Sequence, residues 1–181
     1  MKKEWNVVDV LSHSRHDWLN KIQLLKGNLS LNKIDRVKEI IEEIVHESQN
    51  ESHLTNLKMQ KFAELLMTYN WEQHHFRLEY EIVGDVKDCS KYDDSLHNWC
   101  IEFFSLLDHS IDCNTDNNLS ISVETFNDEL RFFFDFSGII TDGEVVRNWF
   151  TSKQSEESFF QVLDFQVQTD EMLVVLRVQD S

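Results

Sequence analysis

The sequence predicts an α+β protein: an N-terminal helical hairpin that forms a four-helix bundle with a second copy, and a C-terminal layer of alternating strands and helices. Three observations carry this. Apolar residues recur at alternating three-and-four spacing through most of the first 70 residues. From about residue 75, period-two runs take turns with helical ones. Each helix of the first part also keeps an apolar stripe that one partner would only half cover, so two hairpins are expected to pair as a homodimer; docking of the hairpin onto the rest of its own chain is the alternative. The join near residues 70 to 75 is the candidate boundary, dividing the chain into 1–72 and 73–181.

The elements follow in order. Val8, Leu11, Trp18, Ile22, Leu25 and Leu29 mark a first helix whose seam is broken at one position by Arg15. Ser30 to Asp35 supplies turn and capping residues, and Ile34, Val37, Ile40, Ile41, Ile44 and Val45 start a second helix. The rhythm weakens from His46 to His53 and resumes from Leu54 to Tyr69, so the helix either carries on or breaks there. Phe76 to Val83 alternates as a half-buried strand ending at Gly84-Asp85. Residues 92 to 112 return to helical spacing. Strands are expected at Leu119 to Phe126 and Leu130 to Phe136 around an Asn127-Asp128-Glu129 turn, with the Phe132-Phe133-Phe134 and Phe136 aromatics as core. A helix from Asp142 to Phe150 and strands near Phe159 to Gln166 and Met172 to Val178 complete the layer.

Composition narrows the function. A formal charge of -16 argues against nucleic-acid binding, which needs clustered Lys and Arg. Acidic partners would need local basic groups, which Arg15, Lys21 and Lys26 offer along the first helix. No apolar run approaches the roughly 18 to 20 residues of a membrane span, and no signal-peptide core follows Met1, so a cytoplasmic protein without membrane contact is expected. Cys89, Cys100 and Cys113 lack any Cys-x-x-Cys pair and read as reduced thiols.

The chemistry concentrates in His13-Ser14-Arg15-His16-Asp17-Trp18. His16 falls just off the apolar seam, with Ser12, His13, Leu19, Asn20 and Gln23 as neighbours on its face, a mostly polar strip suited to another protein's active site. A histidine with an ordinary pKa of about 6.5 is mostly neutral at neutral pH and leaves one ring nitrogen free to attack phosphorus. Phosphoryl transfer has a loose transition state, so positioning and cations matter more than acid–base machinery. Asp17 and Asn20 are the expected companions of His16 in catalysis. Ser12, His13, Arg15, Leu19, Lys21 and Gln23 are the expected partner-binding residues. A metal bound by His13 and His16 would need a third ligand that the sequence does not offer nearby. His74-His75 reads as a solvated turn, and the Glu42-Glu43 and Glu156-Glu157 pairs as solvated faces.

The hexapeptide, with Asn20-Lys21 and Gly27-Asn28-Leu29-Ser30-Leu31, resembles the sporulation initiation phosphotransferase B family. Asp35-Arg36-Val37, Asn56-Leu57-Lys58, Asn70-Trp71 and Leu78-Glu79-Tyr80-Glu81 extend the resemblance over most of the chain. It implies a dimeric bundle carrying phosphohistidine at His16, and a C-terminal α/β sandwich like a histidine-kinase ATPase domain that has lost nucleotide binding. It further implies that phosphate comes from a single-domain response regulator and goes to the sporulation transcription regulator. The protein then needs no cofactor of its own, Mg2+ being supplied in the receiver domain.

Sensor kinases share the Arg-His-Asp-x-x-Asn core matched by Arg15, His16, Asp17 and Asn20, so an autophosphorylating kinase is one alternative. Against it, His109 stands where the kinases' magnesium-binding asparagine would be. Asp135-Phe136-Ser137-Gly138-Ile139 resembles a glycine box with Ser137 and Ile139 in place of glycines, and no Gly-x-Gly occurs. A non-catalytic scaffold that only binds receiver domains is the other alternative.

Overall fold

The protein is described by a computed structural model covering residues 5–126, 129–155 and 159–178. The Asn127-Asp128 part of the expected turn and the Glu156-Glu157 pair lie outside these residues. The chain forms two compact units, Met1–Gln49 and Asn50–Ser181.

In the first unit, helix α1 (Val7–Ser30) starts at Asn6, whose side chain accepts from the Val8 and Asp9 N–H groups that a helix start leaves orphaned. It ends where Lys33 N–H bonds to Asn28 O and Asn32 takes φ 55°, a left-handed conformation that asparagine tolerates. Helix α2 (Ile34–Asn56) then runs back along α1, and a Lys21–Glu47 ion pair ties the two. α1 contains no buried residue: Leu11, Trp18, Ile22 and Leu29 are 47–59% exposed along the expected seam.

The polar stretch from His46 to His53 does not break α2. Asn50 accepts a hydrogen bond from Ile82 N–H, and Leu54 and Leu57 are fully buried, so long-range contacts carry the helix on where its own periodicity fades. It stops at Lys58, held at φ 59°.

The second unit continues with α3 (Gln60–Thr68), β1 (Arg77–Gly84), α4 (Asp93–Ser110), β2 (Asn118–Phe126), β3 (Glu129–Ser137), α5 (Gly143–Ser155), β4 (Phe160–Val167) and β5 (Glu171–Val178). The sheet order is β1-β2-β3-β5-β4, with β1 and β2 parallel and the other pairs antiparallel. Alternate residues of β2 and β3 (Leu119, Ile121, Val123, Leu130, Phe132, Phe134 and Phe136) are buried among the helices, and the opposite face meets solvent. Phe133 is therefore not core like its aromatic neighbours; the two-residue period turns it to the open face.

Residues 50–72 belong to this unit although their apolar rhythm continues that of the hairpin. Leu54, Leu57, Phe62 and Leu66 join the same core as the sheet, so the compact division lies at Gln49/Asn50 and not at residue 72. Both sheet edges carry side-chain guards. Asn70 donates to Leu78 O and accepts from Leu78 N–H along β1, while Arg147 and Gln154 of α5 donate to Val167 O and Val162 O of β4. Such guards block edge-to-edge pairing with other chains.

Candidate functional site

One exposed face of α1 holds the expected chemistry. The His16 side chain is 73% exposed, and its Nδ1 lies 3.3 Å from Asn20 Nδ2 and 3.5 Å from Asp17 Oδ1. Asn20 reaches the ring because four residues make just over one helical turn. Both companions gather at Nδ1. This leaves Nε2 without a partner among the described residues, at the outer end of an exposed ring.

The six expected partner-binding residues divide. Ser12, Leu19 and Gln23 are exposed beside His16, and Arg15 is exposed on the flank. His13 is half-buried, with the edge of its ring against Trp5 at a centroid distance of 5.1 Å. Lys21 is drawn away by Glu47 and sits 5.6 Å from the Trp18 ring, so it ties the hairpin together. Among the described residues, no group of three or more His, Cys, Asp or Glu is placed to hold a metal ion. No helix there is long and apolar enough to cross a membrane.

The second unit shows what surrounds His109 and the Asp135–Ile139 segment, the two places that the sequence reading compared with nucleotide motifs. His109 donates from Nδ1 to Ser105 O at 2.6 Å, one turn back along α4. Asn117 is 4% exposed; its Nδ2 donates to His75 O and Asp112 O at 2.9 Å, and its Oδ1 accepts from Ile139 N–H at 3.1 Å. A Cβ at Gly138 would lie 2.2 Å from Asn117 Oδ1. The missing side chain at Gly138 thus leaves room for an internal amide.

His74 and His75 are exposed yet more firmly held than a solvated turn implies. His74 stacks on Tyr69 at 3.9 Å, and burial lowers its pKa. His75 donates its N–H to Asp108 Oδ1 at 2.7 Å, with Nδ1 3.4 Å from Oδ2. Sequence reasoning missed Asn117, whose role depends on three segments meeting, and Trp5, whose contact with His13 spans two turns of α1.

Family models match nearly the whole chain. Residues 1–57 match "Sensor kinase SpoOB-type, alpha-helical domain", and residues 58–179 match "Sporulation initiation phospho-transferase B, C-terminal". Sporulation initiation phosphotransferase B of Bacillus subtilis (strain 168) is 44% identical over 138 residues, covering 75% of this chain and 72% of that one. The chain belongs to the sporulation initiation phosphotransferase B family. By its name, this is a family of phosphotransferases acting at the initiation of sporulation. Among solved structures, the Acinetobacter baumannii histidine kinase AdeS shares 13% identity at a TM-score of 0.39, over 91% of this chain and 97% of that one. A bacterial phosphotransferase solved at 1.7 Å shares 11% at a TM-score of 0.41, over 96% and 98%. Both scores are low, so the kinship rests on the family models and the B. subtilis relative.

Proposed function

We propose that this protein is a cytoplasmic phosphorelay histidine phosphotransferase in which His16 takes a phosphoryl group from the phosphoaspartate of one response regulator's receiver domain and passes it to a second regulator, controlling the initiation of sporulation. The observation that carries the reading is the grouping of Asp17 and Asn20 at Nδ1 of a ring whose Nε2 is open to solvent. With its proton on Nδ1, the ring donates toward Asp17 Oδ1, or toward Asn20 Oδ1 once that amide is turned over. The Nε2 lone pair then attacks phosphorus in line. The N–P bond forms, the P–O bond to the aspartyl carboxylate breaks, and the carboxylate leaves with the electron pair. The ring gains positive charge, which the adjacent Asp17 carboxylate stabilises. Transfer onward runs the same steps in reverse on the second receiver's carboxylate.

The phosphoryl group keeps its spread of negative charge throughout, so cations lower the barrier. Mg2+ in the receiver's acidic pocket provides them, and this chain supplies no cofactor. Two protomers pair through the stripe formed by Leu11, Trp18, Ile22 and Leu29, whose exposure on the single chain supports a dimeric four-helix bundle. His16, about 140° around α1 from the middle of that stripe, stays accessible in the pair.

The test incubates the protein with Mg2+ and either a radiolabelled phosphorylated receiver domain or labelled ATP, beside a His16→Gln control. Label from the receiver on the unsubstituted protein alone is the expected result. Label from ATP would make the protein an autophosphorylating kinase, and no label from either source would leave a scaffold.

A further inference from the structure

Lys21 has a choice of two acidic partners, one on each helix of the hairpin. Asp17 stands four residues before it on α1, on the same side of the helix and in the carboxylate-first order that favours such a pair. The only other acid of α1 is Asp9, three turns away from Lys21. By local spacing alone, Lys21 would therefore pair with Asp17. The hairpin makes the other choice. Lys21 Nζ donates to the Glu47 carboxylate of α2 and sits 5.6 Å from the Trp18 ring, and among the described residues no ion pair joins it to Asp17.

That choice bears on His16. Asp17 Oδ1 lies 3.5 Å from His16 Nδ1, and the ring proton must sit on Nδ1 if the Nε2 lone pair is to face solvent. An imidazole left alone shares its proton between both nitrogens. A carboxylate beside Nδ1 holds the proton there, and it supports the positive charge that the ring gains as Nε2 attacks phosphorus. An ammonium on the same carboxylate would act against both effects, because it would draw the oxygens along the helix toward residue 21 and offset their charge at the ring. The Asp17 side chain is half exposed, so packing does not lock it onto either neighbour. What decides its direction is where the Lys21 ammonium sits.

Resting on the phosphotransferase reading, we infer that Glu47 is a positioning residue for the transfer: by holding Lys21 it keeps the ammonium off Asp17, so that the Asp17 carboxylate serves the His16 ring. Glu47 acts through Lys21 and touches neither the ring nor the phosphoryl group. The two members of the ion pair therefore carry unequal weight at the site. Loss of Glu47 releases Lys21 to Asp17, whereas loss of Lys21 leaves Asp17 with His16. An ion pair that merely ties α1 to α2 would be broken equally by either loss.

The experiment compares Glu47→Gln, Lys21→Met and the double variant with the unsubstituted protein. One arm uses nitrogen NMR of isotopically labelled histidine rings, at mildly alkaline pH, to read how the His16 proton is shared between Nδ1 and Nε2. The other measures the rate at which phosphoramidate, a donor too small to need docking, labels His16, and melting is followed in parallel. Glu47→Gln is expected to lower the Nδ1–H share and to slow labelling by about twofold to threefold. Lys21→Met alone leaves the proton share as it is, and adding it to Glu47→Gln restores both readings, although all three variants lose the same tie between the helices. Equal effects of the two single variants, a double variant no better than Glu47→Gln, or a Glu47→Gln ring identical to the unsubstituted one overturns the inference. A phosphorylated receiver domain that fails to label even the unsubstituted protein overturns the phosphotransferase reading instead, and the ring-nitrogen spectra still decide whether Glu47 directs Asp17 to the ring.

Discussion

The two units of the chain solve opposite problems. Residues 1–49 carry eight Lys and Arg against eight Asp and Glu, so the whole charge of -16 resides in residues 50–181. Burial divides as sharply. Among the described residues of the first unit only Ile40 is buried, whereas the second holds a continuous core from Leu54 to Leu176. The second unit buries its own core, its sheet edges are guarded, and Asn117 fills the space at Gly138. The first presents uncovered apolar residues on one side of α1 and the exposed His16 on another. Its neutrality removes the repulsion that the acidic second unit would exert on an acidic molecule. One unit leaves its apolar residues open, and the other buries them in a core of its own.

The sharpest way to test this contrast is a core truncation. Phe134 is fully buried, 5.2 Å from Trp99 and 5.5 Å from Phe103 by ring centroids. Phe134→Ala is expected to cost about 3–5 kcal/mol in denaturant unfolding of the second unit, at any protein concentration. Ile22→Asp, on the exposed seam, is expected instead to weaken self-association by about tenfold or more, read by sedimentation, and to make helix content depend on concentration. A concentration-independent effect there would place Ile22 in an internal contact and erase the distinction.

Smaller effects sharpen the account of the second unit. Asn117→Ala leaves Ile139 N–H without its acceptor and takes a donor from His75 O and from Asp112 O, for an expected loss of about 1–3 kcal/mol by chemical denaturation. If Asn117 seats against Gly138 as described, no cavity-filling substitution at Gly138 restores the wild-type value. The smallest effect concerns pH. The hydrogen bond from Lys58 is the main cause that holds the Asp88 carboxyl at about 2, with Ser90 contributing. A depressed carboxylate contributes stability above its unfolded pKa of about 3.9, and this is lost as pH falls toward 2. The pair is exposed, so the thermal effect is small. Lys58→Met should move the Asp88 titration upward in NMR, and an unmoved titration would assign the depression to Ser90.

Much of this was legible in the sequence because apolar period reports burial, and burial governs most elements here. The grouping at the candidate site was legible because His16, Asp17 and Asn20 need only one helix to meet. What periodicity could not read were contacts between distant segments. Asn50 reaching Ile82 decides that α2 continues, Leu54 and Leu57 decide which core residues 50–72 join, and Asp108 with Tyr69 holds the His74-His75 turn. Phe133 escaped for another reason: a run of aromatics hides the alternation that sends one of them outward.

The central claim is that His16 carries the phosphoryl group on Nε2 while Asp17 and Asn20 hold Nδ1. Phosphorus and nitrogen NMR of protein with isotopically labelled histidine rings, after exposure to a phosphorylated receiver domain and Mg2+, tests it most directly. The account predicts phosphorus–nitrogen coupling at Nε2 of His16, with the proton retained on Nδ1. Coupling at Nδ1, or on any other histidine, would contradict it.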